Sequence, residues 1–443
     1  MKKVLIITYY WPPAGGTSVQ RCLRFVKYLR NYGWEPMVYT ADNPNYALYD
    51  EALIREIPEG IETIKYKIYE PNNFFPRAVK SGKPQNGKVL DNLEGKKRLV
   101  TKILWFIRGN FFIPDARALW VKPSVRYLKK VLSARKVDLI FSSGPPHSMH
   151  LIAQRLSKDL HIPWVADFRD PWTTMDYLGE MFLSPWAKRK HERLERMVIE
   201  NASAVTVVGR TMYNEFKDRY NRDSAVIYNS YNETEGFKSA APLSEIYPPD
   251  KKFTVVHVGS FKNNRNCDDL WETLAEMVKK DSNFAARLEI KLIGSVASDV
   301  LASIERYKLG ANLKKIDFIP YRETIAHLCS AQALLLPIDR IPNSEFVLTG
   351  KLFDYLKAQR PILLIGPEKG DAAYVIQNCH AGYCCNFGDK EKMKSTVKML
   401  YQLYLEGRNT IRSVNVEQYS ASELTKQLAA LFDTLTPEKR TEL

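Results

Sequence analysis

The stretch from Asn343 to Gly366, NSEFVLTGKLFDYLKAQRPILLIG, places a helix start, a lysine and a carboxylate close together. Thr349 is suited to N-cap the helix GKLFDYLKAQ. The free amides around Gly350 and the ammonium of Lys351 then converge on one point, and both attract phosphate oxygens. Asp354, three residues beyond Lys351, shares its helix face and can take two ribose hydroxyls. The glycine spacing of a phosphate loop is missing, and Leu352 stands where that motif needs Ser or Thr for magnesium. The reading is therefore a nucleotide diphosphate carrying a further group, held without a Walker magnesium site. The plainer alternative is a surface Lys–Asp pair.

Other polar residues follow apolar runs. In HVGSFKNNRN, Gly259 and Ser260 end a strand-like run, and the guanidinium of Arg265 can fork onto a diphosphate. In WPPAGGTSVQR, Gly15 and Gly16 permit close backbone approach before a helix with unpaired amides, where a diphosphate or sugar can be held. In SSGPPHSMH, His147 is placed to hydrogen-bond a substrate hydroxyl, whereas His150, one turn on, reads as a helix-face residue. In VADFRDPWT, Asp167 and Asp170 flank Arg169 and can accept protons from hydroxyls or serve as a base. The alternative is that Arg169 pairs with its neighbours while the acids cap the next segment of chain. Asp115 and Arg117 form a similar but weaker pattern. No D-x-D or other metal-ligand cluster stands out, so neither a metal nor a cofactor is called for.

The elements that must position these residues alternate. The strands of the first half read KVLIITYY, EPMVYT, DLIFSS, PWVADF and AVTVVG; those of the second read FTVVHVG, EIKLIG, IDFIP, ALLLPI and PILLIG. Helical stretches lie between them: Ser18 to Asn31, Pro123 to Ala134, His147 to Leu160 and Ser184 to Asn201, then Asp268 to Lys280, Asp299 to Leu309, Glu323 to Ser330, Gly350 to Ala358 and Asp371 to Asn378. Short Val/Ile/Leu strands alternating with helices predict an α/β protein of two doubly wound parallel-sheet domains. The expected boundaries are 1–238 for the first domain, with a C-terminal helix at 416–443 packing back on it, 239–252 for a Pro-rich linker and 253–415 for the second domain. Ligands of such sheets bind beyond the carboxyl ends of the strands. Two such domains facing each other would enclose a central cleft.

At 443 residues the chain is too long for one core, and 45% hydrophobic with 26% charged residues is an ordinary globular balance. No apolar run is long enough to span a bilayer. The start, MKKVLIITYYWPP, reads as a buried strand rather than a signal peptide. None of the six cysteines forms a C-x-x-C pair, so they read as buried thiols of a reducing cytosol. The net charge is +15, and Lys88 to Lys136 carries 13 Lys or Arg against three acids. Within it, KKRLVTKILWFIRGNFFIP mixes cations with Trp, Phe, Ile and Leu, which suits an anionic membrane surface. An ordinary solvated amphipathic helix is the alternative. Charge alone supports nucleic-acid binding, and no nucleic-acid signature accompanies it.

Taken together, these residues resemble the family 4 retaining glycosyltransferases, whose two Rossmann-like domains form the GT-B architecture. The resemblance runs through the glycine-rich first turn, GPPHS, DFRDPW, VGSFKNNRN, KLIG, IDFIPY, LLLPI and LTGKLFDYLKAQRPILLIGP. It implies an enzyme that transfers a sugar from a UDP- or GDP-sugar, with retention, to a glycan or lipid-linked acceptor. It implies ribose binding by Asp354, and diphosphate binding by Lys351, Arg265 and the Thr349–Gly350 amides. Tyr321 would flank the base, and His147 matches a histidine that contacts the donor sugar. The family's first glutamate position holds Phe346, with Glu345 one residue away, and Ser260 stands where many members carry arginine. The expected setting is cytoplasmic, peripheral on the inner face of the cell membrane, in polysaccharide or lipid-linked glycan assembly. A nucleotide-sugar epimerase of the same architecture and a catalytically degenerate scaffold are the other readings.

Overall fold

Strands in this chain are short because each needs only enough Val, Ile and Leu to cross a core covered on both faces. A computed structural model describes residues 1–70, 95–175, 178–179, 181–231 and 243–437; the side chains at 95–98, 243–244 and 321–322 also lie outside the described residues. The first sheet has β1 (Lys2–Ile7), β2 (Trp34–Ala41), β3 (Glu62–Tyr66), β4 (Leu139–Gly144), β5 (Trp164–Phe168), β6 (Ala204–Val207) and β7 (Ala225–Val226). Their order is β3-β2-β1-β4-β5-β6-β7. The second sheet has β8 (Phe253–Val258), β9 (Leu288–Ile293), β10 (Leu313–Ile316), β11 (Ala333–Pro337), β12 (Ile362–Ile365) and β13 (Gly382–Cys385), in the order β10-β9-β8-β11-β12-β13. Every pairing is parallel, from Ile7 beside Tyr39 and Ser142 in the first sheet to Val258 beside Ile293 in the second. Both sheets are therefore doubly wound.

Each order reverses direction once, between β1 and β4 and between β8 and β11. Loops leaving the carboxyl ends of neighbouring strands diverge at such a reversal, which opens a crevice for ligands. The residues after β8 and β11 border this crevice in the second sheet, and those after β1 and β4 in the first.

The chain divides into two compact units, 1–229 with 421–443, and 230–420. The C-terminal helix Ala421–Leu435 packs on the first unit. Phe432 lies 5.2 Å from the Trp34 ring and 5.8 Å from Phe141, and Lys2 pairs with Asp433 at 3.1 Å. All six cysteines are buried free thiols.

One expected strand is misplaced. IDFIP was expected to be extended in the sheet, yet β10 ends at Ile316. Its partner β9 stops at Ile293, so no ladder remains for the next residues, and Phe318 is 88% exposed.

Candidate functional site

In the second unit, the site is built at the β8–β11 reversal. β8 ends at Val258 and turns through Gly259, whose φ of +95° suits glycine. A Cβ there would meet Lys351 Cε at 2.9 Å, so the glycine also makes room for the lysine stem. Gly294, after β9, has φ +106° and packs so closely on Gly259 that its own Cβ would lie 3.0 Å from the Gly259 carbonyl oxygen. Two glycines thus let the strand ends close up beneath Lys351.

Lys351 opens the helix Gly350–Lys357 and reaches back to β8. Its Nζ donates to the Ser260 carbonyl at 3.2 Å and approaches His257 Nε2 at 3.1 Å. Arg265 arrives from the short turn Asn263–Arg265, and its Nη1 donates to the same Ser260 carbonyl at 3.3 Å. The two cations therefore meet at one backbone oxygen. Asp339, just past β11, takes Arg265 Nε and Nη2, each at 2.9 Å, in a two-point pair. The Arg340 amide bonds Asn264 O at 2.7 Å and ties the two loops together, which keeps that pair in register. Burial, then the neighbouring Arg265 charge, push the Lys351 ammonium down to about 7.

Thr349 occupies the N-cap position with an extended backbone, but its hydroxyl caps none of the leading amides. The expectation of a side-chain cap is corrected: Thr349 Oγ1 is buried and makes no hydrogen bond among the described residues. Asp354 lies three residues along the helix from Lys351 and is half-buried. The Tyr321 side chain lies outside the described residues.

In the first unit, the expected residues do gather around the β1–β4 reversal, in different roles. Gly16, at φ +85°, is the N-cap residue of the helix Thr17–Tyr28, beside Gly15, whose amide bonds Leu48 O at 2.9 Å. Asp167 sits on β5 and is fully buried. Arg21 donates to it from Nη2 at 2.7 Å and from Nε at 3.0 Å, while Ser143 and Thr206 hydroxyls each donate at 2.7 Å. Burial alone would raise this carboxyl, but the Arg21 guanidinium and the hydroxyl donors outweigh it and hold it below its ordinary value. The expectation of an acceptor-facing base is therefore corrected for Asp167: it is a buried counter-ion that joins β4, β5, β6 and the first helix. Asp170 is half-buried and makes no hydrogen bond among the described residues, so it is the open carboxylate of that pair.

His147 is corrected in a similar way. It is buried, lies flat against Trp172 with ring centres 4.5 Å apart, and has both ring nitrogens without partners among the described residues. Burial, then His150 and His191 nearby, push its pKa well down and keep it neutral. Asp115 secures the start of the next helix, accepting from the Ser148 amide and hydroxyl, each at 2.9 Å. Arg169 donates to the carbonyls of Ser18 and Pro145, and so pins the first turn of the helix Thr17–Tyr28 to the loop after β4.

Residues 92–235 match the family described as Glycosyltransferase Family 4. This stretch contains His147, Asp167 and Asp170. Over nearly all its length the chain has the fold of solved glycosyltransferases. Sucrose-phosphate synthase from Thermosynechococcus elongatus shares 13% identity at a TM-score of 0.62, covering 98% of this chain and 99% of that one. WaaG, a glycosyltransferase involved in lipopolysaccharide biosynthesis, shares 12% at 0.55, covering 98% and 100%. TarM of S. aureus, in a complex that includes UDP, shares 11% at 0.56, covering 98% and 100%. No curated protein matches the chain in sequence.

Two further residues at this site are His257 and Asp339. Each had a signal. His257 interrupts the apolar run FTVVHVG one residue before its end, and Asp339 directly follows ALLLPI. Both positions flank the strand-order reversal, where polar residues are expected to face a ligand.

Asp167→Asn leaves the Arg21 charge buried without its counter-ion and is expected to cost about 3–5 kcal/mol at neutral pH. Because the carboxyl is held below its ordinary value, its contribution is complete at neutral pH and lost as pH falls through that lowered value. Urea unfolding of wild type and variant should therefore show a large stability gap at pH 7 that narrows in acid. Equal stabilities at pH 7 would contradict the assignment.

Proposed function

We infer that this protein transfers a sugar from a UDP- or GDP-sugar to a glycan or lipid-linked acceptor, with retention at the anomeric carbon. The observation that carries the reading is the convergence of Lys351 and Arg265 on the Ser260 carbonyl, at the start of the Gly350–Lys357 helix. Breaking a sugar–diphosphate bond places negative charge on the leaving group. Two cations and the positive end of a helix stabilise that charge more than they stabilise the intact bond. Asp354, on the Lys351 face of the helix, is assigned to the ribose hydroxyls. Asp170 is assigned to the acceptor or sugar. His147, neutral and buried, is assigned a packing role against Trp172 rather than a proton-transfer role. The UDP in the TarM complex is consistent with a nucleotide partner.

The acceptor is placed at an anionic membrane surface. The helix Gly95–Phe111 exposes Leu99, Val100, Ile103 and Phe106, a run of positions that shares one face. Phe182 and Trp186 are exposed beside it: Asn110 on this helix bonds the Phe182 carbonyl at 3.2 Å and the Ser184 amide at 2.7 Å. Lys102 stands over the Phe182 ring and Lys190 over Trp186. Apolar groups fringed by lysines fit the interface of a bilayer with acidic headgroups. No helix among the described residues is long and apolar enough to cross a membrane.

Incubated with UDP- and GDP-sugars and an acceptor extract, the wild-type protein should release the nucleoside diphosphate and yield a glycosylated product. Lys351→Ala and Arg265→Ala should each lower kcat/KM by about 100-fold with an unchanged circular dichroism spectrum. Unchanged turnover in both would contradict the reading, and sugar epimerisation without acceptor would favour the epimerase.

Co-sedimentation with vesicles provides a separate check. Binding should require acidic lipid and fall about tenfold, or 1.4 kcal/mol, in Ile103→Glu or Phe106→Glu. Equal binding of wild type and both variants, or indifference to lipid charge, would contradict a membrane-facing surface there.

A further inference from the structure

We propose that His257 is a positioning residue for Lys351, and that diphosphate binding at this lysine is coupled to uptake of one proton. The inference rests on the nucleotide-sugar donor reading and adds to it a residue and a linkage.

The tautomer of His257 comes first. His257 is fully buried near the end of β8, and its Nδ1 lies 3.0 Å from the Leu335 carbonyl on β11. A carbonyl only accepts, so Nδ1 carries the hydrogen. Burial and then the nearby Lys351 charge push the His257 pKa well down, so the ring stays neutral and Nε2 presents a lone pair. That lone pair faces Lys351 Nζ at 3.1 Å. The Ser260 carbonyl is the second acceptor, at 3.2 Å. Both neighbours accept and neither is charged.

A neutral amine has two N–H bonds and one lone pair. Its two hydrogens go to His257 Nε2 and Ser260 O, and its lone pair is left at the remaining corner of nitrogen. Protonation converts that lone pair into a third N–H, aimed away from both acceptors. A phosphate oxygen arriving there accepts this hydrogen. The step balances as amine plus solvent proton giving ammonium, with no covalent bond made to the ligand.

The charges around Lys351 decide when this happens. Lys262 and Arg265 face it from the β8 side and oppose a further positive charge, while Asp339 faces it from the β11 side and favours one. On its own helix, the Tyr355 hydroxyl oxygen accepts from the Val258 amide at 3.1 Å, and Asp354 is the nearby acid. Asp339 is already held by the Arg265 fork, which leaves the ligand's phosphate as the anion that completes the balance. With the free ammonium pushed down to about 7, the amine is largely neutral above that pH and takes a proton as the anion binds. Below it, the ammonium is already formed and binding takes up no proton.

Calorimetric titration with UDP and with GDP at pH 8, in buffers of different ionisation enthalpy, measures the coupling directly. At that pH the terminal phosphate is itself ionised, since its last pKa is about 6 by analogy with phosphate esters. The expected result is uptake approaching one proton at pH 8, little at pH 6, and Kd weakening toward tenfold per pH unit above 7. His257→Leu, which removes the acceptor, should weaken binding about tenfold, or 1.4 kcal/mol. His257→Gln, which restores an acceptor near the Nε2 position, should recover most of it. Binding with no buffer dependence would overturn the inference while leaving the donor reading intact. Absence of binding by both nucleotides would overturn both. Acetic anhydride labelling of the free protein, read at Lys351 by mass spectrometry, needs no ligand. A midpoint near 7 supports the proposal, and a midpoint with the surface lysines overturns it.

Discussion

Two cationic side chains brought to one carbonyl oxygen repel each other, and the second unit is arranged around that fact. Lys351 and Arg265 each lie within hydrogen-bond reach of Ser260 O, so no more than about 6.5 Å separates their charges. At an effective dielectric of about 20, two full charges at that distance repel by roughly 2.5 kcal/mol. The structure offsets this in two ways. Asp339 takes two nitrogens of Arg265, and burial lowers the Lys351 ammonium so that its charge can be relinquished. The close approach of strand ends at Gly259 and Gly294 leaves room for the buried Lys351 stem. A site where a second positive charge is opposed until an anion arrives favours that anion, and a leaving diphosphate is such an anion.

The first unit uses the same residue types to the opposite end. Arg21 and Asp167 also pair at short range, but with their side chains 4% and 0% exposed and every strong acceptor of the carboxylate engaged. Burial of both partners makes that pair a structural joint. The Arg265–Asp339 pair, at 10% and 16% exposure, keeps an edge open to a ligand. Exposure, rather than the identity of the pair, separates the two.

The alternation of apolar runs with helical periodicity gave away both sheets, because buried parallel strands admit few other residues. Edge strands were harder. Glu62–Tyr66 buries a single residue, and Gly382–Cys385 offers no alternation, so neither announces itself in the sequence. Lys351, Arg265, Gly259 and Ser260 stand out by position after a strand or at a helix start, and the structure brings them close together. The depth of Asp167 and His147 was not readable, because a carboxylate or imidazole just inside a strand end and one just outside it look alike in one dimension. Only the partners distinguish them: Arg21, distant in sequence from Asp167, and Trp172, stacked on His147. His257 and Asp339 were missed for the converse reason, since each reads as an interruption of a strand until its partner is known.

The claim at the centre is that the diphosphate of a nucleotide sits between Lys351 and Arg265. A crystal structure of the protein with bound UDP or GDP tests it most directly. The account predicts diphosphate oxygens within about 3 Å of Lys351 Nζ and an Arg265 guanidinium nitrogen, in front of the Gly350 amide. A nucleotide bound with its phosphates away from both side chains would contradict it.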